Sequence, residues 1–254
     1  MKRIALSGAA GRMGTACRQA LSEAPDLELV ACIDQAPSDG ALTFATVAEA
    51  LAATTPDVLV DFTAPASVEA NIRAALAAGT DCVVGTTGLS AETLAALEAA
   101  IPAGTCLFVA PNFAIGAVLL MQLAVQAARF MPDVEIIELH HNQKKDAPSG
   151  TAIRTAELIA AARPQPQGAP GAESEIPGAA GARGACVEGI PVHSVRLPGL
   201  VAHQEVIFGG PGQTLTLRHD SMDRSSFMPG VLLACRAVAD RSGLIVGLEK
   251  LMEG

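Results

Sequence analysis

The sequence contains no tryptophan and no tyrosine, and seven phenylalanines make up its 3% aromatic content. A hydrophobic core must therefore be built from Ala, Val, Leu and Ile, which the 50% hydrophobic content supplies. Long apolar runs are also missing, since no stretch reaches the roughly 18 residues of a membrane-spanning helix. The opening MKRIALSGAAGRMG has too short an apolar run for a signal peptide. We expect a globular, cytoplasmic protein with no membrane partner.

Positive charge is scarce as well. The chain carries 17 basic against 26 acidic side chains, for a formal net charge of −9. Nucleic acids and anionic membrane surfaces both require a basic face, so neither is an expected partner. The few cations are gathered locally, however: the stretch HHNQKKDAPSGT holds His140, His141, Lys144 and Lys145. A small anionic substrate is compatible with that arrangement.

Six cysteines are scattered through the 254 residues without a C-x-x-C spacing, mostly inside apolar runs such as LVACID and DCVVG. This distribution favours buried, reduced thiols over disulfides or a zinc site. The chain is long enough for one large domain or two modest ones.

The first hundred residues alternate between short β-rich runs and Ala-rich helical stretches. The predicted strands are Arg3–Leu6, Leu27–Ile33, Val58–Asp61, Cys82–Val84 and Cys106–Val109. The predicted helices between them are Met13–Ala24, Val47–Ala53, Ala66–Ala78 and Ala91–Ala100. This alternation predicts an α/β fold with a doubly wound parallel sheet.

The pattern changes after Asn112. A long helix is predicted at Gly116–Met131, then a strand at Val134–His141, a helix from Ser149 to Ala162, and a Pro/Gly-rich surface loop over residues 163–185. Three strands without intervening helices follow, at Val192–Leu197, Gln204–Phe208 and Thr214–His219, and a last helix at Ser226–Asp240. Consecutive strands predict a mixed or antiparallel sheet and therefore a second α/β domain.

Three glycines lie between the first strand and the first helix. Gly8, Gly11 and Gly14 form G-x-x-G-x-x-G, a variant of the dinucleotide-binding fingerprint, in which the free N–H groups of a helix N-terminus face a pyrophosphate. Asp34 ends the second strand, 20 residues after Gly14, where a carboxylate can accept hydrogen bonds from ribose hydroxyls. The alternative is a tight turn with a helix-capping Asp.

The residues around Asp34 also bear on the choice of cofactor. A carboxylate repels a 2′-phosphate and Gln35 brings no compensating cation, which favours NADH or dual use over NADPH alone. Arg12 could still serve a phosphate.

Three further loops follow predicted parallel strands, at the edge where such sheets bind ligands. Any one could be an ordinary turn, but together above a glycine loop they predict the rim of a nicotinamide site. They are Asp61-Phe62-Thr63, Gly85-Thr86-Thr87-Gly88 and Ala110-Pro111-Asn112-Phe113.

The HHNQKKDAPSGT stretch combines cations with the start of a helix. His and Lys can act as proton donors at neutral pH, and Ser149, Gly150 and Thr151 supply hydroxyls and free N–H groups that suit a carboxylate. The pattern therefore favours a small acid with more than one carboxylate. Blander alternatives are a solvated lysine turn and a plain N-cap at Ser149. A metal site from His140, His141 and Asp146 is disfavoured because adjacent strand residues point to opposite faces.

The segment ELHHNQKKDAPSGTA closely resembles the signature of the 4-hydroxy-tetrahydrodipicolinate reductase (dihydrodipicolinate reductase) family. The likeness extends over nearly the whole chain, through GAAGRMG, DFT, VGTTG, APNFAIG and HSVRLPGLVAHQEVIFGGPGQTLTLRHDSMDRSSF. It implies NAD(P)H-dependent reduction of 4-hydroxy-tetrahydrodipicolinate to tetrahydrodipicolinate, in diaminopimelate and lysine biosynthesis. It also implies a Rossmann-like domain from residues 1–113 and 222–254, and a substrate and tetramerisation domain from residues 114–221 of a homotetramer.

The resemblance further implies residue roles. His140 and Lys144 would be catalytic, and His141, Ser149, Gly150 and Thr151 would hold the substrate carboxylates. The residues that would bind the cofactor are Gly8, Arg12, Met13, Gly14, Asp34, Phe62, Gly85, Thr87, Ala110, Asn112 and Phe113. Two more cofactor-binding residues are predicted from the patterns above: Gly11 from the glycine spacing and Thr86 from its loop.

Some features depart from the family pattern. Ala64 replaces an Arg that some members carry after Asp-Phe-Thr, which weakens the case for tight NADPH selectivity, and Lys145 receives no role. Two rival hypotheses remain open at this stage. A two-domain dehydrogenase of the aspartate or homoserine kind explains the first half of the chain but not HHNQKKDAPSGT. A non-catalytic cofactor-sensing protein would be expected to have lost His140 or Lys144.

Overall fold

The computed structural model describes residues 1–35, 42–164, 176 and 181–252. Most of the predicted Pro/Gly-rich loop at 163–185 therefore lies outside the described residues. Contacts divide the chain into two units, one of Met1–Ile115 with Arg224–Gly254 and the other of Gly116–Asp223. Within the described part of the chain, no helix has the length and apolar character needed to cross a membrane.

The first unit contains a seven-stranded, all-parallel sheet in the order β12-β6-β5-β4-β1-β2-β3. Its strands are β1 Lys2–Ser7, β2 Leu27–Ile33, β3 Thr43–Phe44, β4 Val58–Asp61, β5 Asp81–Val84, β6 Cys106–Val109 and β12 Gly243–Val246. The order reverses at β1, which lies between β2 and β4. This is the doubly wound arrangement, and it confirms the predicted Rossmann-like fold class.

The helices of this unit follow the strands they connect. They are α1 Arg12–Ser22, α2 Val47–Thr54, α3 Pro65–Ala77, α4 Ala91–Glu98, α7 Met228–Ala237 and α8 Glu249–Met252. Local signals explain several starts: Thr46 and Glu49 form a capping box for α2, Ser90 caps α4, and Pro65 occupies the first turn of α3.

The core of this unit is aliphatic, as the lack of Trp and Tyr requires. All four residues of β4 and all four of β6 are buried. A strand buried along its whole length is typical of a parallel sheet covered on both faces. Five of the six cysteines are buried and all six are free, which confirms the prediction of reduced thiols. Burial raises the pKa of Cys106 to about 11 and that of Cys235 to about 12.

The second unit contains a mixed sheet in the order β11-β10-β7-β9-β8. Its strands are β7 Asp133–His140, β8 Ala185–Val187, β9 Ile190–Arg196, β10 Ala202–Gly210 and β11 Gln213–Ser221, and its helices are α5 Ile115–Ala128 and α6 Gly150–Ala162. β7 runs parallel to β9 and antiparallel to β10. Leu120 and Ala124 of α5 and Ile159 of α6 pack with Ile136 and Phe208 of the sheet. The mixed sheet confirms the predicted class of this half.

The main differences from the sequence prediction lie in short elements. β3, β8 and β12 were not predicted, and they are two, three and four residues long. Such strands carry too few residues for a periodic pattern, and their conformation depends on pairing with longer neighbours such as β6. The predicted helix at Ser226–Asp240 is broken into a 3₁₀ turn, Arg224–Phe227, then α7, then a second 3₁₀ turn, Val238–Asp240.

Candidate active site

The glycine turn between β1 and α1 allows no side chain at two of its positions. Gly8 has a φ of +79°, and a Cβ there would lie 2.5 Å from the carbonyl oxygen of Phe62. A Cβ on Gly14 would lie 2.1 Å from the carbonyl oxygen of Gly8. Gly11 precedes α1 and gives it no side-chain cap. The N-terminus of α1 is therefore a compact turn without a competing side-chain oxygen, which suits a phosphate group.

Asp34 lies at the end of β2, next to this turn. Its Oδ2 accepts a hydrogen bond from the backbone N–H of Ala10 at 2.9 Å. The carboxylate is thereby held beside the glycine loop, where the dinucleotide fingerprint places the residue that accepts from ribose hydroxyls. Gln35 and Arg12 are exposed.

A buried carboxylate organises two of the three predicted rim loops. Asp61 is fully buried, and its oxygens accept from the hydroxyls of Thr63 and Thr86 at 2.7 Å each and from Nδ2 of Asn71 at 2.8 Å. Thr63 follows β4 and Thr86 follows β5. Asp61 therefore fixes these loops against each other, a role that the sequence did not indicate.

The same loops line a cavity of about 180 Å³ in the first unit. Gly85 is required there, because a Cβ would lie 2.2 Å from the Phe62 ring. Phe62 in turn meets Phe113 edge-to-face with ring centroids 6.0 Å apart. The residues that line the cavity are Met13, Phe62, Thr63, Pro65, Gly85, Thr86 and Thr87.

Two more predicted cofactor residues follow β6. Ala110 is buried and donates its N–H to the carbonyl of Val84 at 3.0 Å. Oδ1 of Asn112 accepts from the N–H of Ala114 at 2.8 Å. Their side chains and backbone therefore shape the loop that carries Phe113, which contacts Phe62.

In the second unit, β7 carries a buried charge on its helix-covered face. Val134, Ile136, Glu138 and His140 alternate with residues of the other face. Glu138 is fully buried. Its Oε2 lies 2.5 Å from Nδ1 of His140, and its carboxylate accepts from both Nη atoms of Arg196, at 2.9 and 2.7 Å.

The ionised state of Glu138 determines which nitrogen of the His140 ring carries the shared hydrogen. Burial by itself raises the pKa of Glu138, but hydrogen bonds from His140, Arg196 and Ser194 outweigh burial and hold that pKa at about 2. The carboxylate is therefore ionised at neutral pH and can only accept. Nδ1 of His140 must carry the proton of the shared hydrogen bond. Nε2 has no hydrogen-bond partner among the described residues, so it is the nitrogen that can meet a ligand.

Lys144 lies on the loop after β7. Its Nζ donates to both carboxylate oxygens of Asp146 at 2.8 Å, and this hydrogen bond lowers the pKa of Asp146. Arg196 joins the same loop to β9, because its Nη2 also donates to the backbone carbonyl of Asp146 at 2.7 Å. His141 is half-buried, and Lys145 is exposed.

The N-terminus of α6 supplies the remaining predicted residues. Ser149 is buried, and its Oγ accepts from the N–H of Ala152 at 3.2 Å, so it is the N-cap of α6. As an acceptor in that bond, the hydroxyl keeps its own hydrogen to donate. The Ser149 N–H donates to Oε1 of Glu138 at 3.2 Å. Gly150 is exposed, with open space around the position of a Cβ, and Thr151 is half-buried.

The predicted residues thus form two sets, one in each unit. Glycine-turn and rim-loop residues surround the α1 N-terminus and the cavity in the first unit. In the second unit, His140, Lys144 and Ser149 are joined through Glu138, Arg196 and Asp146. In the part of the chain that the structure describes, no group of three or more His, Cys, Asp or Glu residues could hold a metal ion.

Comparison with known proteins decides the family. A model of the dihydrodipicolinate reductase N-terminus matches residues 2–113, and a model of its C-terminus matches residues 116–252. The chain belongs to the dihydrodipicolinate reductase family.

Individual relatives agree with this membership. A 4-hydroxy-tetrahydrodipicolinate reductase of Streptococcus gordonii is 52% identical over 98% of this chain and 99% of its own. One of Mycobacterium sp. (strain KMS) is 50% identical over 99% of both chains. A solved structure, the dipicolinate-bound dihydrodipicolinate reductase from Paenisporosarcina sp. TG-14, is 42% identical over 98% of this chain and 99% of its own, with a TM-score of 0.88.

The sequence interpretation assigned no role to Glu138 or Arg196. A signal was present, because Glu138 occupies a position of β7 where the alternation Val134, Ile136 requires an apolar residue. A charged residue at a core position of a strand indicates a paired, functional group. Arg196 had no comparable signal, since its partner lies 58 positions away and only the sheet register brings the two together.

Proposed function

We propose that the protein reduces 4-hydroxy-tetrahydrodipicolinate to tetrahydrodipicolinate with NADH or NADPH, as an enzyme of diaminopimelate and lysine biosynthesis. The observation that carries the proposal is the network of the second unit. It joins an imidazole with one fixed proton (His140) and a helix N-terminus (Ser149) at a single buried carboxylate, and Arg196 and Asp146 extend it to an ammonium group (Lys144). Family membership supplies the reaction that these groups fit.

The substrate is a small heterocycle with two carboxylates. We assign the carboxylate-binding site, called the carboxylate seat below, to His141, Ser149, Gly150 and Thr151. Hydroxyls and backbone N–H groups at the start of α6 complement a carboxylate, and the open space around Gly150 leaves room for one. The relative from Paenisporosarcina sp. TG-14 was solved with dipicolinate, a planar diacid. This supports a diacid seat in the present chain.

The residues of the first unit fit a nicotinamide dinucleotide. The α1 N-terminus, where two glycines admit no Cβ, would hold the pyrophosphate, and Asp34 would accept from the ribose. The cavity lined by Met13, Phe62 and Thr87 would take the ring. Bound NADH or NADPH supplies a hydride. The N-terminal unit is accordingly the dinucleotide domain, with expected limits 1–113 and 222–254, and 114–221 is the substrate domain.

The chain's own residues manage charge and protons during the reduction. His140 presents Nε2 to the heterocyclic ring of the substrate. As an imidazolium, it donates a hydrogen bond to the negative charge that builds on that ring. Lys144 leaves Asp146 and donates a proton from Nζ, while the substrate loses water. General acid catalysis of this kind contributes about 10²–10⁴-fold in rate.

Asp34 favours NADH, or use of both cofactors, over NADPH alone. Its carboxylate is held beside the glycine loop by Ala10, where it repels a 2′-phosphate. The neighbouring Gln35 is neutral, and Ala64 provides no cation. Arg12 is exposed at the start of α1, and its guanidinium could pair with the 2′-phosphate of NADPH.

We further propose a homotetramer built on the second unit. Ile137 and Leu139 lie on the face of β7 opposite to α5 and α6, and both are only half-buried. A sheet face with exposed apolar side chains is a suitable surface for packing against another copy. Light scattering of the purified protein measures the assembly. The expected cytoplasmic location stays a prediction, with which six free thiols are compatible.

The assay that tests the function follows the oxidation of NADH or NADPH, coupled to the enzyme that makes the substrate and run with each cofactor in turn. We expect turnover with NADH at least as efficient as with NADPH. No oxidation above the substrate-free rate, with either cofactor, would contradict the proposal.

A further inference from the structure

We propose that Glu138 and Arg196 are a positioning pair for the reaction, which fixes the proton of His140 on Nδ1 and ties the Lys144 loop and the α6 N-terminus to the same anchor. The inference rests on the proposed function in treating His140 and Lys144 as the reacting groups. Neither Glu138 nor Arg196 is assigned contact with the substrate, so the two act through their neighbours.

Several separate segments of the second unit meet at Glu138. Oε2 faces His140 at the end of β7, and Oε1 accepts from the N–H of Ser149 at the start of α6. Arg196, from β9, contacts both oxygens. Its Nη2 continues to the carbonyl of Asp146, whose side chain holds Lys144. His140, Ser149 and the Lys144 loop therefore share one hydrogen-bonded centre.

The hydrogen bond between His140 and Glu138 has a fixed direction. Because Glu138 is ionised, Nδ1 of His140 keeps its hydrogen whether the ring is neutral or protonated. Any proton that comes and goes is then on Nε2, the nitrogen without a partner among the described residues. A carboxylate behind an imidazole fixes which ring nitrogen carries the hydrogen and orients the ring, so Nε2 is the nitrogen left to meet the developing charge.

Stability alone does not explain the pair of Glu138 and Arg196. Glu138 occupies a core position of β7 beside Ile136, where an apolar residue would pack without loss of solvation. Nε of Arg196 is buried and has no hydrogen-bond partner in the described part of the chain. Buried polar atoms without partners are uncommon and disfavour folding. A charge pair retained under these conditions indicates a role beyond packing.

The same strand provides a matched control. Glu135, on the opposite face of β7, also contacts an imidazole and a guanidinium: its Oε2 lies 2.8 Å from Nε2 of His193, and its Oε1 accepts from Arg183. This second triad contains none of the groups assigned to the reaction. Glu135→Gln therefore removes a carboxylate with the same kinds of partners from the same strand and leaves the proposed site intact.

The central test combines kinetics with a spectroscopic readout. Glu138→Gln replaces the acceptor by an amide of similar shape that can also donate. We expect kcat to fall by about 10- to 100-fold, by analogy with the loss seen when the hydrogen-bond partner of a metal-bound His is removed, with the KM for NADH unchanged. Glu135→Gln should keep the wild-type kcat, and light scattering should show that its assembly is unaltered.

¹⁵N NMR of the histidine side chains shows which ring nitrogen of His140 carries the hydrogen, and it does not depend on enzymatic activity. In the wild-type protein, neutral His140 should carry its hydrogen on Nδ1, and in Glu138→Gln a fraction of the hydrogen should move to Nε2. Arg196→Lys keeps the positive charge but cannot form the two parallel bonds. It should lower kcat and raise the KM for the substrate, because the Asp146 carbonyl loses its donor.

The possible failures can be told apart. A wild-type protein without reductase activity contradicts the proposed function, whereas the tautomer measurement stays valid. An active wild type with hydrogen on Nε2 of neutral His140, or a Glu138→Gln variant as active as Glu135→Gln, overturns the positioning pair. If Glu138→Gln does not fold, the wild-type spectrum together with Glu138→Asp decides. The shorter carboxylate should retain Nδ1–H and lose part of kcat, and full activity in Glu138→Asp would contradict the inference.

Discussion

Asp34 Oδ2 accepts a hydrogen bond from the backbone N–H of Ala10 at 2.9 Å, so the residue that directly follows β2 is bonded to the glycine turn before α1. This bond orients the carboxylate that we assign to the ribose. Replacing Asp34 by Ala should lower kcat/KM for NADH and raise it for NADPH, because the repulsion of a 2′-phosphate is removed. The ratio of the two kcat/KM values is the measurement. Glu28→Gln removes an exposed charge from β2 and should leave the ratio of the two kcat/KM values unchanged. An unaltered ratio in Asp34→Ala would refute the assignment of Asp34 to the ribose.

Lys144 is the predicted proton donor, and its neighbour Lys145 provides the control. Lys144→Ala should reduce kcat by at least ~10²-fold, whereas Lys145→Ala should be near wild type because that side chain is exposed and has no assigned role. Steady-state kinetics at saturating substrate measures both. Near-normal turnover in Lys144→Ala would remove this residue as the acid.

The proposed carboxylate seat can be probed with a diacid. Pyridine-2,6-dicarboxylate should inhibit competitively with the substrate, since Ser149, Gly150 and Thr151 would hold its carboxylates. Pyridine-2-carboxylate, which has one carboxylate fewer, should bind more weakly. Initial rates at several concentrations of each compound give the two inhibition constants. Equal constants, or no inhibition by the diacid at millimolar concentration, would count against the seat.

Gly14 packs against the glycine turn more tightly than any side chain allows. In Gly14→Ala the new Cβ would lie 2.1 Å from the Gly8 carbonyl oxygen, so the turn must shift. We expect a loss of about 1–3 kcal/mol in the free energy of unfolding and weaker NADH binding. Thermal unfolding and NADH fluorescence measure these effects. Gly209→Ala, where a Cβ would meet no atom within 4 Å, is the control, and equal behaviour of the two variants would contradict the close packing.

Glu138 predicts a pH dependence of stability. Burial raises its pKa, but its hydrogen bonds outweigh burial and lower the pKa from 4.5 to about 2 in the folded chain. Between these values the unfolded chain binds more protons than the folded chain, so stability falls as the pH decreases from about 4.5 to about 2. The full contribution, on the order of 3 kcal/mol, is present above pH 4.5. Denaturant unfolding of the wild type and Glu138→Gln should differ less as the pH falls, and a constant difference would contradict the shift.

Much of the first unit could be predicted from local pattern. Its buried strands are largely apolar runs, and the glycine at position 14 reflects a contact within the glycine turn. β12 could not be predicted, because its four residues become a strand only by pairing with β6 far earlier in the chain. The contacts of Asp61 with Thr86 and of Glu138 with Arg196 also join residues far apart in sequence. Such contacts leave no periodic pattern in the sequence. The charge of Glu138 at an apolar position of β7 was visible in the sequence, but no role was predicted for it.

The central claim is that the residues joined through Glu138 assist hydride transfer to a diacid ring. NADH deuterated at C4 of the nicotinamide, supplied with freshly generated substrate, tests it most directly. We predict that NMR of the isolated product shows one deuterium on a ring carbon, and that this signal disappears with the Lys144→Ala protein over the same time. A product without deuterium, or deuterium transfer at the same rate in the variant, would contradict the account.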